Sequence, residues 1–155
     1  MRALTDSEKW RSRFLRYAPL ILWIGVIFLL SSNVGSMNNT SRFIRPLLRF
    51  LFPDAPEELL QIYHGYIRKL AHVTEYAILA FFASRAFFSS SVNTIAKNWF
   101  VFSFALVVAV ACLDEFNQSF LSSRTASPFD VMLDCFGGLV MILLFFAFKA
   151  IGKLS

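Results

Sequence analysis

Apolar residues gather into four long runs, at about 17–32, 70–88, 99–118 and 129–148, each near the roughly 20 residues a helix needs to cross a bilayer. The third is apolar only as far as Leu113, so its last turns must carry Asp114 to Gln118 against protein or water. The link between the second and third runs is short and polar, with Ser89, Ser90, Ser91 and Asn93. Ahead of the first run stand Arg11, Arg13 and Arg16, the outline of a signal peptide, but no convincing small-x-small site follows and a retained helix is expected. The pattern predicts an all-α, polytopic membrane protein with four transmembrane helices, forming a single domain over residues 1–155.

The long connection after the first run has its own pattern. Between Ser41 and Phe52, Arg42, Arg45 and Arg49 share one helical face, while Phe43, Leu47, Leu48, Phe50 and Leu51 fill the rest. An amphipathic segment of this kind, about 41–52, is expected to lie in the headgroup layer of the first outer loop. Pro46 should interrupt it and Pro53 should end it, leaving two short pieces. Pro56, Glu57 and Glu58 then make a good helix start, and that helix is expected to run through Gly65 into the second span.

Composition fixes the class. Hydrophobic residues make up 57% of the chain and charged ones only 16%, outside the range of an ordinary soluble domain. The net charge of +5 does not point to nucleic acid, because the basic residues flank the spans and no zinc, helix-turn-helix or RNA-binding motif accompanies them. Nine of the fifteen Lys and Arg fall at the N-terminus, after the second span and at the C-terminus. That bias predicts a multi-pass membrane protein with both termini cytoplasmic. Cys112 and Cys135 lack the number and spacing of a disulfide framework or zinc site, and both read as small packing residues.

Against this background the ionisable residues in and beside the spans stand out, since a charge at the bilayer centre costs about 2.5 to 3.5 kcal/mol on insertion scales. At about 100° per residue, Lys69, His72 and Tyr76 share one face of the second span, with Glu75 at its edge. Asp114 and Gln118 form a stripe on the third, with Glu115 turned away from it. Asp130 and Asp134 stack on the fourth, and Gly137 extends that face and permits close approach of another helix. Duller roles compete: Ser127, Pro128 and Asp130 fit an N-terminal cap, Lys69 could snorkel, and Arg124 could merely neutralise Asp130 or Glu115. Asp134 is hardest to explain this way, lying more than a turn inside the fourth span.

The ordered set Lys69, His72 and Tyr76, then Asp114, Glu115 and Gln118, then Arg124, Asp130 and Gly137, resembles the VanZ-like family, small multispan bacterial membrane proteins named for a teicoplanin-resistance protein. Phe28 to Ser32 is also similar to that family's first span. Ser123 stands where many members have glycine, and Asp134 where asparagine is frequent. The resemblance implies a role at the cell envelope and, for the founding member, antibiotic resistance, without a settled reaction.

Three readings of the polar set follow. Lys69 and Arg124 could donate to the phosphate of a membrane lipid or lipid-linked envelope precursor, with Tyr76 lining the site and His72 and Gln118 hydrogen-bonding the ligand. Alternatively, Asp114, Glu115, Asp130 and Asp134 could hold Mg²⁺ or Mn²⁺ while His72 or Glu75 moves a proton, as in a lipid-phosphate hydrolase or transferase. The third reading is a structural membrane protein whose polar core only fixes packing. Serine chemistry is disfavoured because Ser122, Ser123 and Ser127 lack a nucleophile-elbow pattern.

Overall fold

The computed structural model of the chain describes residues 6–121 and 127–152. The elements are all helical: α1 (Asp6–Ser31), a 3-10 turn (Asn33–Gly35), α2 (Met37–Leu51), α3 (Glu57–Phe88), the short α4 (Asn93–Lys97), α5 (Trp99–Gln118) and α6 (Pro128–Ile151). Three helices contain stretches long and apolar enough to cross a membrane: Arg13–Ser31, Trp99–Gln118 and Pro128–Ile151. The expected span at about 70–88 forms the C-terminal part of α3, whose His72, Glu75 and Arg85 keep it out of that apolar set.

The helix starts follow local chemistry. Ser127 caps α6, its Oγ accepting from Phe129 N at 3.2 Å, with Pro128 in the first turn where its missing N–H matters least. Pro56 caps α3 rather than entering it, and Glu57 and Glu58 lie in its first turn, where negative charge suits the helix dipole. As the sequence suggests, α3 is then continuous through Gly65.

The bundle is inside-out relative to a soluble protein. Ile21, Leu22, Phe100, Val101, Leu143, Phe146 and Phe148 point outward. The interior along α3, α5 and α6 is instead built largely from small residues: Ala80, Ala83, Ser84, Ala86, Ser103, Ala111, Gly137 and Gly138 are buried. In an apolar solvent helices gain little from hiding apolar surface, so close backbone approach and dispersion hold them together. A Cβ on Gly137 would stand 2.3 Å from the Val73 carbonyl oxygen, and one on Gly138 would stand 2.6 Å from Val107 Cγ1. Two successive glycines thus let α6 lie against α3 with one and α5 with the other, and α3 with α6 is the most extensive helix pair.

At the end away from α2, aromatic rings close the bundle. Trp99 packs on Phe88, Phe100 and Phe145, and Lys149 Nζ lies 4.8 Å over the Phe88 ring. Tyr17 OH donates to Ser90 Oγ at 3.2 Å, tying α1 to the α3–α4 link.

Two expectations are corrected here. Pro46 does not split the amphipathic segment, because α2 runs unbroken from Met37 to Leu51. It is held from both sides of Pro46: Arg45 and Arg49 both pair with Glu57, the latter at 2.6 Å, while Leu48 is buried beside Leu60 and His64 of α3. The second correction concerns the cysteines, since Cys112 is exposed on the outer face of α5 and only Cys135 is partly packed.

His64, 4% exposed, has Thr40 Oγ1 3.1 Å from Nε2 and Ser41 Oγ 3.4 Å from Nδ1. Burial first, then Arg68 and Arg45, hold its pKa below the ordinary value. A folded-state pKa below the unfolded one of about 6.5 means that the folded form resists protonation, so stability is complete above that value and is lost as the pH falls. Hydrogen exchange of the α2 amides, corrected for intrinsic pH dependence, should therefore quicken between pH 7.5 and 5, and His64→Gln should flatten the response.

The glycines predict opposite signs. Gly137→Ala must push α6 off α3 and should lower the melting temperature in detergent, the scale for overpacking being about 1–3 kcal/mol. Gly65→Ala meets nothing within 4 Å inside a helix and should raise the melting temperature, the scale of the added stability being about 0.5–1 kcal/mol.

Candidate functional site

The polar groups of four helices meet at one end of the small-residue interface. From α3, one turn apart, come His72 and Tyr76; from α5, Asp114 and Gln118; from α6, Asp134; and from the last turn of α1, Ser31. All but His72 are buried to within a few per cent, and Asp134 and Tyr76 are fully enclosed. The Val73–Gly137 contact explains the depth, since each of its residues lies within a turn of a member of the cluster.

The bonding is directional but incomplete. Gln118 Nε2 donates to Ser31 Oγ at 2.6 Å and to Asp114 Oδ2 at 3.0 Å, linking α1 to α5. His72 Nδ1 stands 3.6 Å from Asp134 Oδ1, an ion-pair separation longer than a hydrogen bond. Glu115, turned from the Asp114 stripe as helical geometry requires, accepts from Ser127 N at 2.8 Å through Oε2 and so anchors the start of α6. Trp23 Nε1 donates to the Glu75 carbonyl oxygen at 2.9 Å, fixing α1 against α3. Among the described residues, both oxygens of Asp134, Asp114 Oδ1, Glu115 Oε1 and the Tyr76 hydroxyl are buried without a hydrogen-bond partner.

Next to this cluster, between α1, α2 and α3, lies a cavity of about 130 Å³. Ser31, Thr40, Arg68, His72 and Glu75 supply its polar lining. Arg68 donates to the Gly35 carbonyl oxygen at 3.1 Å; burial lowers its pKa from the ordinary value, and the charges of Asp130 and Glu75 offset only part of that.

Of the residues singled out in the sequence, His72, Tyr76, Asp114, Gln118 and Asp134 come together, with Glu75 at the edge. Lys69 does not join them: it is exposed on the rim, its Nζ 5.0 Å over the Phe129 ring. Glu115 serves the α6 start and Asp130 sits half-buried in the first turn of α6. Arg124 lies outside the described residues. Among the described residues no three His, Cys, Asp or Glu side chains are grouped as metal ligands would be. Sequence reading missed Ser31 and Arg68 as parts of the site. Ser31 closes an apolar run as any span-ending serine does, and Arg68 reads as one more flanking cation.

Residues 16–149 match the VanZ/LLP1 family. The chain belongs to that family. No curated protein and no solved structure matches it. The matched range takes in every residue of this VanZ/LLP1 cluster, from Ser31 to Asp134, and the Gly137–Gly138 pair that seats it.

Coupling between His72 and Asp134 is measurable. In this VanZ/LLP1 protein His72→Leu leaves the enclosed Asp134 carboxylate without its facing base and should destabilise the fold by about 3–5 kcal/mol, the range for a broken buried pair. Adding Asp134→Leu should restore part of the loss, a non-additivity of about 0.5–3 kcal/mol in a thermal-melt double-mutant cycle.

Proposed function

We propose that this VanZ/LLP1 protein is a cell-envelope membrane protein whose polar end receives the anionic headgroup of a membrane lipid or lipid-linked wall precursor. In this reading α3 is the fourth transmembrane crossing, both termini are cytoplasmic, and the polar cluster opens to the outer leaflet. The amphipathic α2 then rests in the headgroup layer, its exposed Phe43, Leu47, Phe50 and Leu51 towards the acyl boundary. The observation that carries the proposal is the cavity with Arg68, His72 and hydroxyls in its lining, beside enclosed polar atoms that have no hydrogen-bond partner among the described residues, on a bundle whose outer surface is largely apolar. Buried polar groups ordinarily find partners, so a purely structural core explains the cluster poorly.

Arg68, at the cavity, and Lys69, at the rim, supply the phosphate donors together with Arg124, a planar guanidinium being suited to two-point contact. His72 and Gln118 hydrogen-bond what enters, and Tyr76 backs them. A divalent-ion lipid-phosphate hydrolase or transferase has less support, because among the described residues the carboxylates are not grouped as ligands.

Native mass spectrometry of the purified full chain tests the reading. Bound phospholipid should survive gentle detergent release in the parent protein and fall at least tenfold in Arg68→Ala and in Lys69→Ala/Arg124→Ala at unchanged melting temperature. Equal retention in all three would overturn it.

A further inference from the structure

The polar face of α2 carries a second concentration of charge, away from the cavity beside Arg68. At about 100° per residue Arg42, Arg45 and Arg49 fall within about 60° of one another, roughly opposite the exposed Phe43, Leu47, Phe50 and Leu51. With Ser41 and Pro46 they line a groove of about 520 Å³, turned away from the side that suits acyl chains.

An oxyanion already sits on this ridge. Arg45 donates to Glu57 Oε1 through both Nε and Nη2, and Arg49 donates to Oε2 through Nη2 at 2.6 Å, so two guanidiniums clasp one carboxylate. Guanidinium forks hold phosphate with the same two-point grip. The clasp is exchangeable. The Arg45, Arg49 and Glu57 side chains are 52%, 64% and 43% exposed, and ion pairs so open to water contribute little. A displaced Glu57 keeps its place in the first turn of α3, where the helix dipole favours an acid. The Arg42 side chain makes no ion pair or hydrogen bond among the described residues, and Asp54 and Glu58, the other acids near the start of α3, pair with none of the three arginines. Three cations therefore share one negative charge.

From this arrangement we propose that the groove is an anion site separate from the cavity: a phosphate monoester or diphosphate binds on Arg42, Arg45 and Arg49 in exchange for the Glu57 carboxylate. A doubly charged group answers the surplus that a single carboxylate leaves. Arg42 and Arg49 are about 10 Å apart along the helix axis, room for two linked phosphates. The groove is as large as ordinary ligand pockets of about 300–1,000 Å³, so it suits a phosphate carried on a larger molecule.

Isothermal titration of the purified full-length protein, in neutral detergent at low salt, tests the assignment with diphosphate and short-chain phosphatidic acid as probes and acetate as the singly charged comparison. Diphosphate should saturate at one per chain and bind at least tenfold tighter than acetate. Glu57→Gln, which removes the resident anion, should tighten it at least threefold. Arg42→Ala, which breaks no internal pair, should weaken it at least fivefold at unchanged melting temperature, and Arg68→Ala should leave it within about twofold. The same variant responses with phosphatidic acid alone would support the site and place its phosphate on a membrane lipid, and with diphosphate alone on a soluble carrier. No saturable binding of either probe, even in Glu57→Gln, overturns the proposal. So does an affinity unchanged in Arg42→Ala or in Glu57→Gln, and so does a loss in Arg68→Ala as large as that in Arg42→Ala, which would return the anion to the cavity.

Discussion

Close contact between two backbones governs this molecule. With no side chain at Gly137, α6 lies directly on the Val73 carbonyl of α3, and every other feature of the polar end takes its depth from that approach. His72 precedes Val73, and Asp134 stands about one turn before Gly137, so the same contact brings imidazole and carboxylate to 3.6 Å. Gly138 repeats the arrangement towards Val107 and carries α5, with Asp114 and Gln118, into the same layer. A hydrophobic drive could not set these distances in lipid, where an outward leucine is as well solvated as a buried one; small residues that admit a neighbour can.

Enclosing carboxylates in such a place is expensive unless something answers them. The protein answers some of their oxygens with Gln118, itself held by Ser31, and with the Ser127 amide, and leaves others without a hydrogen-bond partner among the described residues. Partial satisfaction separates a receptive site from a packing device, since a device that only fixes register gains most when every polar atom is paired. The division of labour on α5 is instructive: Asp114 looks into the cluster, while Glu115, one residue on, secures the next helix.

Much of this was legible in the chain, because helical periodicity and the cost of buried charge both act locally. The faces of α3, α5 and α6 that carry His72, Asp114 and Asp134, the limits of α5 and the Ser127 cap could be read from spacing alone. Lys69 shared the correct face on a helical wheel yet turned to Phe129, since a long flexible side chain answers to its nearest ring as much as to its helix. Pro46 was misread because the clamp that overrides it comes from Glu57, beyond the turn. Ser31 and Arg68 carried no signal of their own: their roles arise from Gln118 and Gly35, far away in sequence.

The unbroken length of α3 carries a mechanical corollary. Its 32 residues make a rod of about 48 Å at about 1.5 Å per residue, well over the roughly 30 Å of hydrocarbon in a bilayer. His64, which grips α2, and His72, which faces Asp134, are two turns apart on that one rod. With no break in the helix between them, the grip on α2 and the pairing with the enclosed carboxylate are held on one stiff rod at a fixed separation.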